Sequence, residues 1–496
     1  MNIRSMTYIL GWILNIEAGF MLLPIGTAVV YGERQGWAFV LTAALCLLAG
    51  ALLTRKKPRN PGFFMRDAFV TTALGWIVMS VMGCIPFVMT GEIPHFIDAL
   101  FETVSGFTTT GASIMTDVEA MSHCSMVWRC FTHWIGGMGV LVFLLAVLPM
   151  VGGSSMNLMK AESPGPSVGK LVPKVRFTAQ ILYRLYIALT AAEFVLLLIG
   201  HMSPYEALCT AFGTAGTGGF GVKNSSIAGY SPYIQWVVTV FMIVFGVNFN
   251  VYFLLIMGKP GQDFRCEEMR WYLAVIAAAT ALIFVNAYDT LLTAENNLRN
   301  AAFQVASIIT TTGYATADFN LWPEFSRTIL VMLMFVGACA GSTGGGMKIS
   351  RFVIAAKSLG AYLVSFLHPR AVRRIKFEEK DVEKETTRAV QIYFVAVAFI
   401  VAFSVLLLSL DGKDLVSTFA AVAATFNNIG PGLEAVGPTA NYASFSALSK
   451  SVMIFDMLAG RLEVFPMLML FYPGLWREAI SESRRRRRLR RDTGRQ

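Results

Sequence analysis

The sequence reads FTTTGAS from Phe107 to Ser113 and ITTTGYA from Ile309 to Ala315. Both phrases follow a short apolar segment, and neither contains an acid, a base, a thiol or an imidazole. The phrase therefore offers only hydroxyl groups and backbone atoms to whatever it binds. Its recurrence about two hundred residues apart indicates a chain built from repeated units.

The composition is that of a membrane protein. Of the 496 residues, 55% are hydrophobic and only 15% are charged, whereas soluble domains carry about 25% charged residues. Long stretches such as 68–91 and 389–410 contain no charge at all. Because a helix of about 20 apolar residues crosses a bilayer, the sequence predicts an all-α polytopic membrane protein.

About ten segments are long and apolar enough to be transmembrane helices. We place them at about 6–31, 36–54, 68–90, 126–150, 177–200, 233–257, 271–289, 327–365, 388–410 and 446–475. We expect the first helix to be retained and not cleaved as a signal peptide.

Lys and Arg alternate between dense and sparse loops. The dense loops are 55–66, 151–176, 258–270 and 366–388, and a basic run extends from Arg484 to Arg491. By the positive-inside rule these segments and both termini are expected in the cytoplasm. We interpret the terminal run as a tail beside anionic lipid, with nucleic-acid binding or a docking patch as the less favoured alternative.

Four further apolar segments are too short to cross, at about 94–107, 203–214, 297–309 and 412–426. A polar phrase with glycine follows each one, and the phrases align on Gly111, Gly218, Gly313 and Gly430, at spacings of 107, 95 and 117 residues. Non-helical backbone at membrane depth is tolerated only where it is buried in protein or lines water. The four turns are therefore expected to line a cavity.

Four such units can close around a common axis, as four helix–pore-loop–helix repeats. Facing rows of backbone carbonyls then replace the water shell of a dehydrated monovalent cation, and the half-helix ends bring partial charges near it. Glycine permits the backbone conformation that this needs. The candidate filter residues are Thr109, Thr110, Gly111, Gly216, Thr217, Gly218, Thr311, Thr312, Gly313, Asn428, Ile429 and Gly430.

A second candidate element is GACAGSTGGGMK, from Gly337 to Lys348. An interior helical glycine costs about 0.5–1 kcal/mol relative to alanine, so we expect this helix to unwind below the filter and act as a gate. Close helix packing is the alternative. The candidate gate residues are Gly341, Ser342, Thr343, Gly344, Gly345, Gly346, Lys348 and Arg461.

Arg461 joins the gate because its guanidinium has five donors for carbonyls freed by unwinding. An ion pair between Arg461 and Glu463 is the alternative. Glu17, Glu193 and Arg129 are charges expected inside the membrane, and the sequence assigns them no role.

These motifs resemble the Trk/Ktr/HKT superfamily of cation transporters, in its bacterial TrkH/TrkG branch. The resemblance covers essentially the whole chain and rests on SGFTTTGAS, GTAGTGGFG, SIITTTGYA, TFNNIGPGL, GACAGSTGGGMKISR and AGRLEVFP. It implies potassium uptake, because glycine, not the serine of sodium-carrying members, stands at position 111. It also implies an intramembrane gating loop, a homodimer, and a cytosolic TrkA-like nucleotide-binding partner.

The repeats predict six divisions of the chain. These are two extra N-terminal helices in 1–60, pore units in 61–175, 176–265, 266–385 and 386–476, and a basic cytoplasmic tail in 477–496. The resemblance places the protein in the bacterial cytoplasmic (inner) membrane.

Other functions are disfavoured by what the sequence omits. It has no acid pair, nucleophile with its base, or metal-ligand spacing, so we expect neither an enzyme nor a bound cofactor, with K⁺ as the substrate. The seven cysteines form no CxxC pair and are interpreted as small apolar fillers. A sodium-permeable or H⁺/Na⁺-coupled symporter of the same superfamily remains an alternative, and a carrier for an organic solute a remote one.

Overall fold

The structure, a computed structural model, describes residues 2–57, 64–139, 175–256, 266–368 and 374–477. Most of these residues are helical and the strands form one short hairpin, which confirms the predicted all-α polytopic membrane fold. Seven described helices are long and apolar enough to cross a bilayer: Ile3–Tyr31, Gly36–Thr54, Met65–Thr90, Ala179–Ile199, Glu267–Asn286, Ile349–Leu367 and Lys384–Asp411.

The helices are named in chain order. They are α1 (Ile3–Phe20), α2 (Leu22–Tyr31), α3 (Gly36–Thr54), α4 (Met65–Thr90), α5 (Phe96–Phe107), α6 (His123–Met138), α7 (Val175–Ile199), α8 (Pro204–Ala215), α9 (Pro232–Phe245), α10 (Phe249–Ile256), α11 (Glu267–Asn286), α12 (Ala294–Ile309), α13 (Glu324–Val336), α14 (Ile349–Leu367), α15 (Lys384–Leu408), α16 (Leu415–Phe426), α17 (Ala447–Arg461) and α18 (Phe465–Phe471). Strands β1 (Lys376–Phe377) and β2 (Lys380–Asp381) pair antiparallel in one small hairpin.

The four short segments form the half-helices α5, α8, α12 and α16. Ser203, Thr293 and Asp414 cap the starts of the last three, each through a side-chain oxygen that accepts a backbone N–H. Such caps satisfy donors that the first helical turn leaves free. Each half-helix lies between a longer helix and a second, broken or shorter one, so the chain repeats the same unit four times.

Two predicted crossings contain sharp breaks that their sequences do not indicate. The segment predicted at 233–257 bends by 90° between α9 and α10. The carbonyls of Phe245 and Gly246 accept from backbone N–H groups of the Gly337–Lys348 stretch, and Phe249 N–H donates back to it. The bend therefore exists because tertiary hydrogen bonds replace those of the helix.

The segment predicted at 446–475 is also interrupted. Helix α17 ends at Arg461, and Glu463 and Val464 follow with φ of 57° and 68°. The Val464 N–H reaches back to the Ala459 carbonyl at 2.7 Å, which is the closing bond of a Schellman motif. The break predicted within 327–365 is present between α13 and α14.

Several predictions lie outside the described residues. These include the end of the crossing predicted at 126–150, most of the basic loops 151–176 and 258–270, and the run Arg484–Arg491. The predicted unit boundaries near 60, 175 and 265 lie in or beside the same gaps. The seven cysteines are free thiols, six of them buried, as expected for apolar fillers.

Candidate cation filter and gate

The four polar turns share one backbone conformation. The second residue after each half-helix has a left-handed φ of 54–61°, and the glycine two residues further on has φ of 77–94°. These residues are, in turn order, Thr109 and Gly111, Thr217 and Gly219, Thr311 and Gly313, and Asn428 and Gly430.

Each half-helix ends in the same hydrogen bond. The N–H that follows the left-handed residue reaches back five residues, as from Thr110 to Ser105 at 2.9 Å and from Ile429 to Ala424 at 2.9 Å. This Schellman closure is usually built on glycine. A β-branched threonine at positive φ is strained by about 1–3 kcal/mol, and such strain is typical of functional sites.

The register of the second turn differs by one residue from the sequence alignment. Gly219, not Gly218, has the conformation of Gly111, while Gly218 corresponds to Thr110 and Gly216 to Thr108. The phrase GTGGF contains adjacent glycines, so the sequence alone fixed no unique register. The second turn thus reads Thr217-Gly218-Gly219 where the first reads Thr-Thr-Gly.

The four glycines form a closed ring of contacts. A Cβ atom built on each would overlap or crowd the carbonyl oxygen that precedes the glycine of the next turn. The sequence of contacts is Gly111 to Gly218, Gly219 to Thr312, Gly313 to Ile429, and Gly430 back to Thr110. Because the last contact returns to the first turn, four equivalent carbonyl groups meet around one axis.

The second turn has glycines at positions 216 and 218, where the first turn has threonines, and His133 occupies the space that those side chains would fill. A Cβ built on Gly218 would collide with its imidazole, and one on Gly216 with its backbone. Its Nδ1 lies 2.7 Å from the Gly106 carbonyl, and its Nε2 accepts from Phe220 N–H at 3.2 Å. These bonds require a neutral imidazole with the proton on Nδ1, so His133 braces the first two turns without adding charge.

A buried ion pair fastens the outer ends of the same two turns. Glu102 accepts from Arg129 Nε at 2.6 Å, from Ser113 Oγ at 2.9 Å and from Ile114 N–H at 2.9 Å. Arg129 also donates to the Gly221 carbonyl at 3.3 Å. The sequence did not predict this partner for Arg129, because Glu102 is a single acid inside a half-helix with no pattern that marks it as one side of an ion pair.

Hydroxyl and amide groups brace the turns from behind. Thr108 and Thr110 share a 2.8 Å hydrogen bond, and the same pair recurs at Thr310 and Thr312. Asn428 Nδ2 donates to Thr110 Oγ1 at 2.9 Å, which links the fourth turn to the first. The Tyr442 hydroxyl donates a hydrogen bond to the Gly430 carbonyl at 2.7 Å. Thr109 Oγ1 is buried and has no hydrogen-bond partner among the described residues.

The Gly337–Lys348 stretch, called the gate loop below, contains no helix and lies directly against the filter turns. Gly345 N–H donates to Thr311 Oγ1 at 2.6 Å, and Gly346 N–H to the Asn427 carbonyl at 3.0 Å. A Cβ on Gly345 would lie 2.8 Å from that same carbonyl oxygen. Glycine is therefore needed here for close approach to the filter, not for packing between helices.

The two ends of the gate loop lie in contact, and the loop also hydrogen-bonds to another unit. Gly337 and Gly346 both have positive φ and touch each other. On the far side the loop hydrogen-bonds to the break between α9 and α10, through Cys339, Gly341 and Thr343. The loop thus extends from the third unit to the second, beneath the third and fourth turns.

Arg461 of the fourth unit binds the gate loop as predicted from the sequence. It donates to the Thr343 carbonyl at 2.9 Å, and to the Gly136 and Gly137 carbonyls at 2.6 and 2.9 Å. Glu463, the alternative partner, forms an ion pair with Arg351. Lys348 is buried and donates to the Gly344 carbonyl within the loop.

The cavity beneath the turns is small. It has a volume of about 10 Å³ and is lined by residues of the gate loop and of α17, including Gly345, Lys348, Gly460 and Arg461. That volume holds one water molecule at most. A hydrated cation does not fit in this cavity while the gate loop is in this position.

The arrangement defines a class of membrane protein: four half-helices direct their C-terminal, negative ends to one ring of carbonyl oxygens, a setting that favours cations. A family model described as TrkH, cation transport protein, matches residues 35–478. The chain belongs to this TrkH family of cation transport proteins, and the resemblance read from the motifs is confirmed.

Individual relatives agree over the full chain. The Trk system potassium uptake protein TrkH of Salmonella typhimurium is 36% identical over 489 residues, covering 96% of this chain and 100% of that protein. TrkG of Escherichia coli K12 is 31% identical over 487 residues, covering 96% and 99%. The crystal structure of the potassium transporter TrkH from Vibrio parahaemolyticus superposes with a TM-score of 0.86 at 31% identity, over 96% and 100% of the two chains. These relatives are named as transporters, which confirms that the chain is not an enzyme.

Proposed function

We propose that this protein takes up potassium across the bacterial cytoplasmic membrane through the ring of four turns. The observation that carries the proposal is the closed sequence of glycine–carbonyl contacts from the first turn to the fourth and back. The relatives named as potassium uptake proteins support K⁺ as the cation. The charge alternation of the loops supports cytoplasmic termini.

Backbone carbonyls are the proposed ligands of the dehydrated ion. The ring is formed by the carbonyls of Thr110, Gly218, Thr312 and Ile429, with the neighbouring residues of each predicted turn above and below it. The free Thr109 hydroxyl is a further oxygen without a competing partner among the described residues. The four half-helix C-termini add negative partial charge that lowers the energy of the cation there.

The gate loop is the proposed barrier to conduction. It hydrogen-bonds to filter residues, and the cavity beside it is of single-water size. Lys348 and Arg461 also place positive charge below the filter, which opposes entry of a cation from that side. Opening requires the loop to leave the carbonyls that it now touches.

A cytosolic nucleotide-binding partner of TrkA type and a homodimer are proposed on the resemblance, and the basic loop 366–388 and the run Arg484–Arg491 are the proposed docking segments. The "Trk system" name of the relatives supports a multicomponent assembly. Native-membrane pull-down with and without these segments tests this. Recovery of only the bare protein in both cases would remove the partner from the account.

Replacing Gly111 by serine tests the filter. Its Cβ would overlap the Gly218 carbonyl at a φ of 77°, so we expect the ring to deform and the K⁺/Na⁺ flux ratio to fall roughly tenfold or more, since about 1.4 kcal/mol suffices for tenfold. The measurement is tracer flux into proteoliposomes with each cation.

Gly91→Ser is the matched control. Gly91 also has a φ of 77°, yet a Cβ there meets nothing within 4 Å. The control carries the same backbone strain without the collision and is expected to keep wild-type selectivity. A wild-type flux ratio in Gly111→Ser would contradict the four-turn filter.

Deleting Ser342–Gly345 or replacing Arg461 by alanine tests the gate. The deletion removes the loop segment beside Thr311, and Arg461→Ala removes three hydrogen bonds, one of which holds the loop. Both changes are expected to raise basal ⁸⁶Rb⁺ uptake several-fold at matched protein loading, with selectivity kept. Arg34→Ala, which removes an exposed guanidinium between α2 and α3, is the control. Unchanged or lower uptake in a folded deletion variant would place the gate elsewhere.

A further inference from the structure

A small hairpin in the basic loop 366–388 has an unusual turn. Strands β1 and β2 are joined by two residues, Glu378 and Glu379, with φ of 51° and 60°. Two positive φ values in a two-residue loop match a type I′ turn, where Asn-Gly is strongly preferred. Two glutamates are poor residues for this turn, so other contacts must hold the hairpin in this conformation.

Glu378 caps the start of helix α11. Its Oε1 accepts from the Glu268 N–H at 3.0 Å and from Cys266 Sγ at 3.2 Å. The helix makes no side-chain cap of its own, since Cys266 at the N-cap position supplies none. A carboxylate at this end satisfies a free N–H and complements the positive end of the helix.

Glu268 connects this cap to the gate loop. Its side chain is 3% exposed, and its Oε1 accepts from the Ala340 N–H at 2.7 Å. Ala340 lies inside the gate loop, three residues before Thr343, which Arg461 holds from the other side. Glu268 therefore contacts the hairpin through its backbone N–H and the gate loop through its carboxylate.

The hairpin is also held to the helix that follows the gate loop. Phe377 is buried with Ile354 of α14 and Val390 of α15. Lys357 donates to the Lys376 carbonyl at 2.8 Å and pairs with Glu267 at 2.5 Å. A shift of the hairpin would thus act on both α11 and α14, the helices on either side of the loop contact.

We propose that Glu378 and Glu268 form a relay that holds the gate loop closed, with Glu268 as its positioning residue. This inference rests on the proposed function, in which the gate loop blocks the pathway. A force applied to the hairpin from the cytoplasmic side separates Glu378 from the start of α11. Glu268 then loses its fixed position, the Ala340 N–H loses its acceptor, and the loop is released.

The test compares Glu378→Ala with Glu379→Ala in the full-length protein in liposomes. Glu379 is the exposed neighbour on the same turn. Loss of a hydrogen bond to a charged acceptor is worth enough to shift a closed–open equilibrium roughly tenfold. We expect basal ⁸⁶Rb⁺ uptake to rise by about that factor in Glu378→Ala and to stay at the wild-type level in Glu379→Ala. Equal uptake in both variants would overturn the relay.

Further variants separate the relay from general damage. Glu268→Ala is expected to raise uptake, and Glu268→Gln, whose amide oxygen still accepts from Ala340, to restore it. The double variant Glu378→Ala/Glu268→Ala is expected to match Glu268→Ala alone, because both residues act through one contact. Additive increases would contradict a single relay.

A readout independent of transport is the thiol of Cys266. Among the cysteines it is the partly exposed one, and the other six are buried. Maleimide labelling of Cys266, followed by peptide mass spectrometry, is expected to rise in Glu378→Ala and not in Glu379→Ala. If the Ser342–Gly345 deletion raises uptake while Glu378→Ala does not, the relay fails and the gate stands. If neither raises uptake, the proposed gate itself is wrong, and the relay with it.

Discussion

Four glycine Cα atoms lie against four carbonyl oxygens in a closed ring, and the surrounding structure serves to hold that contact. Each carbonyl reaches the ring because the residue before it has a left-handed conformation, which asparagine tolerates and β-branched threonine adopts only at a cost. The Schellman hydrogen bonds and the buried side chains behind each turn offset the energetic cost of that conformation. A ring assembled in this way is already formed without an ion, so the proposed binding of a cation needs little reorganisation.

The four units reach the same ring by different means. His133 fills the place of two threonine side chains behind the second turn, and Asn428 crosses from the fourth turn to the first. The gate loop belongs to the third unit alone, and its hydrogen bonds break the regular helix of the second. In the proposed account a fourfold filter thus lies above an asymmetric gate, because a single loop is sufficient to close one axial path.

Much of this was accessible from the sequence, for a physical reason. Apolar length separates crossings from half-helices, and a glycine-terminated polar phrase after a half-helix has few other uses in a membrane. Arg461 was found because a charge inside the membrane demands partners, and unwound backbone supplies them. The many glycines of the gate loop predicted that it would not be helical, because glycine is unfavourable inside a helix.

What the sequence did not give arises from tertiary contacts. The bend after Phe245 depends on N–H groups nearly a hundred residues away, and the stretch around it carries one glycine, Gly246. The break after Arg461 is built on Glu463, a residue with no preference for positive φ. The adjacent glycines of the second turn left its register open by one residue, and the contact of Glu268 with Ala340 joins residues 72 positions apart.

The central claim is that a dehydrated cation is held by the carbonyls of Thr110, Gly218, Thr312 and Ile429. The most direct measurement is anomalous diffraction from crystals grown in Rb⁺ and, in parallel, in Rb⁺ with a large excess of Na⁺. We predict Rb⁺ peaks on the axis at the level of these four oxygens, and peaks of the same height when Na⁺ is in excess. Rb⁺ peaks confined to other parts of the molecule, with none between the four turns, would contradict the account.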